Sequence, residues 1–142
     1  MTVPVVDLSV LRGVNATAQF NSWAGFEVTA AEPGRVELRL PWRDEVGQYA
    51  GLVHAGMVAA LIDTVCGFAA VTMTGSGVVA SHCAVSFLAP ARGAAFVARG
   101  QVSKAGRRQV FASAELFAEA TDGSLALVAS GQTILVPTGT QL

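Results

Sequence analysis

His54–Met73 reads His-Ala-Gly-Met-Val-Ala-Ala-Leu-Ile-Asp-Thr-Val-Cys-Gly-Phe-Ala-Ala-Val-Thr-Met. The stretch has helical length and no proline, and its apolar residues lie on every side instead of along one stripe. A helix of that kind must be covered nearly all round. Asp63 is its one charge, and the only Asp, Glu, Lys or Arg in the forty-six residues from Val46 to Ala91. An ionised carboxylate buried without a partner is costly. A chain keeps one there when the acid is paired, neutralised or used on a ligand that enters a cleft.

Outward from this helix the pattern changes to strands. Gly75-Ser76-Gly77 stops the helix, and Val78–Leu88 follows with Val79, Ser81, Cys83, Val85 and Phe87 expected on one face. Three more strands are predicted at Ala94–Ser103, Gln109–Glu119 and Leu125–Val136. They are separated by Lys104-Ala105-Gly106 and Asp122-Gly123, and the last stops at Pro137. Upstream, Phe26–Ala30 and Arg35–Leu40 alternate around Pro33-Gly34, Arg43–Gly51 is loop, and Leu8–Trp23 has the weak periodicity of a short helix capped by Asp7 or Ser9. The order predicts an α+β domain: a curved antiparallel sheet of about six strands wrapped around one long apolar helix. Residues 1–142 form one domain, with 1–24 as an N-terminal helix or lid and 53–74 as the central helix. A sheet covers one side of a helix only, so a second copy of the chain is expected over part of the rest.

Composition agrees. The chain is 52% hydrophobic and 13% charged, more apolar than an ordinary soluble domain, which favours self-association. A net charge of -1 lacks the basic face that nucleic acid requires. Residues 55–73 are nearly long enough to span a bilayer, but a central aspartate costs roughly 2.5–3.5 kcal/mol there, so no membrane partner is expected. The opening Met-Thr-Val-Pro-Val-Val-Asp lacks the basic start and apolar run of a secretory signal. Cys66 and Cys83 read as two buried free thiols, and a cytoplasmic location follows from that reading.

The segment Gln48-Tyr49-Ala50-Gly51-Leu52-Val53-His54-Ala55-Gly56, followed by Leu61-Ile62-Asp63, resembles the hotdog-fold acyl-CoA thioesterases, in particular their phenylacetate-pathway (PaaI-like) branch. The signature of that branch is Asn or Gln, a glycine, His-Gly-Gly, and an acid eight residues past the first of those two glycines. The likeness continues through Phe87-Leu88-Ala89-Pro90-Ala91, Val102-Ser103-Lys104-Ala105-Gly106-Arg107 and Ala114-Glu115-Leu116-Phe117. It implies hydrolysis of a small, medium or aromatic acyl-CoA. The Ala55 amide at the helix start would polarise the thioester carbonyl. Asp63 would act as nucleophile or general base, Gln48 would orient water or contact the carbonyl, and His54 would shape the loop. Gly56, Ser81 and His82 would lie by the substrate, and Lys104, Arg107 and Arg108 would meet coenzyme A phosphates. No metal or redox cofactor is implied; coenzyme A enters as part of the substrate. Two positions depart from the signature. Ala55 replaces the first glycine, and Ala80 stands where some relatives carry a hydroxyl that assists the acid.

Ala55 and Asp63 are eight residues apart, about 12 Å along a helix, too far to act on one carbonyl. The site should therefore join Gln48 and Ala55 of one subunit to Asp63 of a two-fold mate, in a homodimer or in a homotetramer built from two such dimers. Each residue also has a structural reading. Asp63 is then an acid bonded to a neighbour such as Ser81, and His54 and Gln48 order the loop. His82 is an ordinary strand histidine, Lys104, Arg107 and Arg108 form a solvated turn, and Trp23 is packing instead of a wall of the acyl pocket. The rival functions are an enoyl-thioester hydratase on the same fold and a non-enzymatic acyl-CoA sensor.

Overall fold

The computed structural model describes residues 5–142, so the first four residues of the 1–24 segment lie outside the described residues. Two short helices, α1 (Leu8–Thr17) and α2 (Gln19–Ala24), precede strands β1 (Glu27–Glu32) and β2 (Arg35–Pro41). A 3-10 turn at Asp44–Val46 leads to α3 (Ala55–Thr74). Four strands follow: β3 (Ser76–Phe87), β4 (Ala95–Ala105), β5 (Val110–Glu119) and β6 (Leu125–Gln141). The expected single N-terminal helix is broken at Ala18, whose extended backbone starts the second turn of helix. Asp7 is the cap of α1, its carboxylate accepting from the Val10 N–H at 3.0 Å.

All neighbouring strands are antiparallel, in the order β1-β2-β4-β5-β6-β3. The inner faces of β2 and β5 alternate buried and more exposed residues, and Val36, Leu38, Leu40, Ala112, Ala114 and Leu116 close on α3. Eleven of the twenty α3 residues are buried, Leu61, Ile62, Val65 and Cys66 completely. The helix is long and apolar enough to cross a membrane; here its apolar surface lies against the sheet.

Two glycines set how closely helix and sheet approach. A Cβ on Gly100 of β4 would stand 2.8 Å from the Val65 carbonyl oxygen, and one on Gly131 of β6 would stand 2.6 Å from Ile62 Cγ2 and 2.8 Å from the Ala84 carbonyl oxygen. Both contacts are shorter than any side chain tolerates, so bare backbone at these points lets the sheet wrap tightly around the middle of α3.

The structure differs from the sequence reading at β3 and β6. β6 runs through Pro137 to Gln141, because β5 begins at Val110 opposite Leu135 and the rest of β6 pairs with β3 alone. Proline is tolerated where one side of a strand has no ladder to donate to. In β3 a bulge at Ser81 interrupts the alternation: Ala80 pairs with Leu135 and His82 with Ile134. Val79 therefore does not share the face of Cys83 and Val85; it is 57% exposed, and Val78 turns to the helix instead. Cys83 is exposed, not buried, since β3 is an edge strand and none of the described residues pairs with its free side. Cys66 is the buried thiol.

Gly100→Ala is expected to lower the urea midpoint by the equivalent of about 1–3 kcal/mol through overpacking. Gly13→Ala in α1, where a Cβ meets nothing within 4 Å, should raise it slightly.

Candidate active site

The loop before α3 folds back on itself. His54 N–H donates to the Val46 carbonyl at 3.0 Å, Gln48 N–H to the Leu52 carbonyl at 2.8 Å, and Gly47 bridges Val53. This narrow hairpin brings Gln48 beside the start of the helix. Its side-chain oxygen accepts from the Ala50 N–H at 2.7 Å, which orders the turn and leaves the amide NH2 group without an acceptor among the described residues. His54 is the N-cap: Nδ1 accepts from the Gly56 N–H at 2.8 Å, so the neutral ring carries its proton on Nε2.

The capping pattern leaves one donor over. Met57 and Val58 N–H groups both donate to the His54 carbonyl, and the Gly56 N–H is taken by the imidazole. The Ala55 N–H, the first of the helix, has no acceptor among the described residues and opens on the surface. An unpaired N–H at the positive end of a twenty-residue helix is suited to an oxygen that gains negative charge.

Asp63 lies two turns further along. It is half-buried and accepts no hydrogen bond among the described residues; Ser81 Oγ donates instead to the Ile134 carbonyl at 3.4 Å. Burial raises the Asp63 carboxyl above the ordinary carboxylate range. The acid lines a pocket of about 260 Å³ whose other walls include Val14, Phe68, Val78, Ala80, Leu135 and Leu142. Ala80 thus stands beside Asp63 without a hydroxyl to offer it. A larger groove of about 740 Å³ lies on the outer face of the sheet; there Arg99 pairs with Glu37 at 3.0 Å, and Glu32, Arg35 and Glu115 join no ion pair among the described residues. The smaller pocket holds the half-buried acid of the central helix.

The remaining expected residues fall in three places. Gly56 is exposed beside Ala55, its N–H held by His54. Lys104, Arg107 and Arg108 are exposed on the β4–β5 hairpin and join no ion pair among the described residues. That hairpin is at the Asp63 end of the sheet, because Val110 is in register with Leu135 and Leu135 with Ala80. Ser81 and His82 sit on the exposed edge strand, and alternation from Cys83 turns His82 to the outer face, away from the Asp63 pocket. Trp23 lines neither of the two pockets above; it is half-exposed, 5.9 Å from Phe20 and beneath the Arg43 guanidinium. Burial pushes the Cys66 thiol up to about 12, which removes it as a nucleophile at neutral pH. Val14, Leu135 and Leu142 were absent from the sequence reading of the site; only Gly67 and Val71, four and eight residues past Asp63, carried a helical signal that would have found them.

One chain therefore gathers Gln48, His54 and Ala55 at the helix start and sets Asp63 apart. Residues 50–124 match the family model of the thioesterase superfamily. The chain is similar to a solved thioesterase family protein from Silicibacter pomeroyi, 32% identical, with 89% of this chain and 93% of that chain covered at a TM-score of 0.84. It shares its fold with the PaaI protein of the E. coli phenylacetic acid degradation operon, 21% identical over 94% of this chain and 98% of that one, TM-score 0.76. It shares it also with a Streptococcus mutans protein bound to acetyl-CoA, 19% identical over 82% and 91%, TM-score 0.71. The matched region covers more than half of the chain and contains both Ala55 and Asp63, and the chain belongs to the thioesterase superfamily, with its hotdog fold.

Proposed function

We propose that this protein is an acyl-CoA thioesterase whose active site is shared across a two-fold dimer. The observation that carries the reading is the pairing, on one helix, of a free N–H at Ala55 with a desolvated and unpartnered Asp63. The two are about 12 Å apart along the axis, so a second subunit running antiparallel supplies the acid for each helix start.

Two features favour such a dimer. β3 is a twelve-residue strand with a free edge, and Val79, Phe87 and Leu88 next to that edge are more than half exposed. A long apolar edge invites a strand from another chain, here the same strand of a two-fold mate. Gly56, Ala59, Ala60, Asp63, Thr64 and Gly67, at helical spacing, form the stripe of α3 that the sheet leaves only partly covered. Small residues there let a second helix come close.

In the reaction, the thioester oxygen accepts from the Ala55 N–H and from the free amide of Gln48. The partner's Asp63 takes a proton from water as the water oxygen bonds to the carbonyl carbon. The tetrahedral oxyanion is held by the same two donors. Its collapse breaks the carbon–sulfur bond, the coenzyme A thiolate leaves and takes up the proton, and the free acid remains. Direct attack by Asp63 would pass through an anhydride and end at the same products. Apolar walls around Asp63 keep its proton affinity high, which suits a base. Lys104, Arg107 and Arg108 at the same end of the sheet would meet the coenzyme A phosphates. A protein of this fold that was solved with acetyl-CoA bound supports the substrate class.

Asp63→Asn should cut kcat on acyl-CoAs by at least about a thousandfold, read as release of free thiol. In the wild type, kcat/KM should fall on the acid side with an apparent pKa above the roughly 3.9 of an unperturbed aspartate. The stability sign follows. A carboxyl whose folded pKa is raised favours folding below its unfolded pKa, and that contribution is lost as pH rises through the folded value. Asp63→Asn should therefore melt higher than wild type at pH 7, the difference closing below about pH 4.

Ala55→Pro isolates the amide. Ala55 is the first helical residue and His54 before it is extended (φ -60, ψ 138), a setting in which proline fits without loss of helix. Turnover should drop about 10²- to 10³-fold, the usual cost of one oxyanion donor, while circular dichroism and melting temperature stay near wild type. Turnover equal to wild type would remove the Ala55 amide from the mechanism.

A further inference from the structure

Of the two donors proposed for the thioester oxygen, the Ala55 N–H is fixed by the helix, whereas the Gln48 amide rides on a side chain with several rotatable bonds. A misplacement of about 1 Å can cost on the order of a hundredfold in rate. What holds Gln48 is the Ala50 N–H, which its side-chain oxygen accepts at 2.7 Å. A backbone N–H can only donate, so this bond turns the oxygen toward the turn and leaves the NH2 group for a ligand. The aim of Gln48 is then only as firm as the position of Ala50, at the exposed tip of the hairpin.

Arg92 holds that tip. Its Nη2 donates to the Ala50 carbonyl at 3.2 Å, so both backbone polar groups of Ala50 are engaged by side chains, the N–H by Gln48 and the carbonyl by Arg92. A Cβ on Gly51 would stand 3.3 Å from Arg92 Nη1, and Gly51 has a left-handed φ of 73°; a bare residue there lets the guanidinium lie along the turn. The arginine also springs from a firm base. Before it, the Ala91 carbonyl accepts from the Val53 N–H at 3.0 Å, at the foot of the same hairpin. After it, the Ala94 N–H donates to the Glu119 carbonyl at 2.8 Å, and a Cβ on Gly93 would stand 2.8 Å from that same oxygen. Arg92 joins no ion pair among the described residues, and the bond to Ala50 is its one side-chain hydrogen bond among them. Building on the thioesterase reading above, we infer that Arg92 is a positioning residue of the active site: by fixing the Ala50 turn it keeps the Gln48 NH2 group aimed at the thioester oxygen. A substitution at so exposed a residue changes stability little, so its loss shows in turnover.

The test is a double-mutant cycle of Arg92→Ala and Gln48→Ala, with thiol release followed on acetyl-, octanoyl- and phenylacetyl-CoA. Arg92→Ala should lower kcat about 10-fold, with KM near the wild-type value and a melting temperature within about 2 °C of it. In the Gln48→Ala background the same substitution should change kcat by less than about twofold, because nothing is left to aim. A kcat equal to wild type in Arg92→Ala overturns the inference. So does a loss of equal size in both backgrounds, or one confined to KM that fades in high salt, the mark of a phosphate contact. If wild type turns over none of the three thioesters, the hydrolase reading fails, and the side-chain amide resonance of Gln48, assigned by its disappearance in Gln48→Ala, then judges Arg92 alone. Fast motion of that NH2 group in Arg92→Ala but not in wild type supports the clamp; equal mobility in the two overturns it.

Discussion

One carboxylate held partly out of water governs this molecule. Asp63 has no hydrogen-bond partner among the described residues and sits on a helix whose other residues carry no charge. Such a group raises the energy of the folded chain at neutral pH. The surrounding fold makes the arrangement tolerable: the sheet closes on α3 at Gly100 and Gly131, and only the stripe carrying Asp63 is left partly open. The same helix presents its other chemical asset, the free Ala55 N–H, two turns away at its N-terminus. A straight helix cannot bring its own start and middle together, so the proposed reaction, which uses both groups on one carbonyl, calls for two helices. The exposed β3 edge and the apolar residues beside it are the features through which a second chain would be joined.

Much of this was legible in the residues. The uniform apolar character of His54–Met73 marked a wrapped helix, and the Gly, Pro and Asp-Gly punctuation placed the six strands within a few residues. Where the reading failed, the cause was non-local. Pro137 stops a strand only if a ladder needs a donor at that position on both sides, and the start of β5 at Val110, opposite Leu135, removed that need on one side. Period-two alternation put Val79 on one face with Cys83 and Val85, but a bulge at Ser81 shifts the phase, and a bulge is set by the partner strand. Cys83 looked buried because its neighbours are apolar; strand order, invisible in one sequence, puts it at an edge.

The site was legible to a similar extent. Asp63 stood out as a lone charge, Gln48, His54 and Ala55 only through the resemblance to the thioesterase signature, and the structure explains how those three meet: a tight hairpin through Gly47 and Val53, closed by the His54 cap. Ser81 and His82 did not join them, because the bulge and the alternation point them elsewhere. The pocket walls Val14 from α1 and Leu142, just past β6, carry no local signal at all; they come together only in the folded chain.

The central claim is that Ala55 and Asp63 act together only across a dimer, and subunit complementation tests it most directly. Asp63→Asn and Ala55→Pro chains, each nearly inactive alone, would be co-expressed and the mixed dimers assayed for thioester hydrolysis. Random pairing makes half of the dimers mixed, and each of those rebuilds one intact site of two, so recovery of about a quarter of wild-type activity is predicted. Mixtures no more active than the separate variants would show that the two residues serve the same subunit, or not the same reaction.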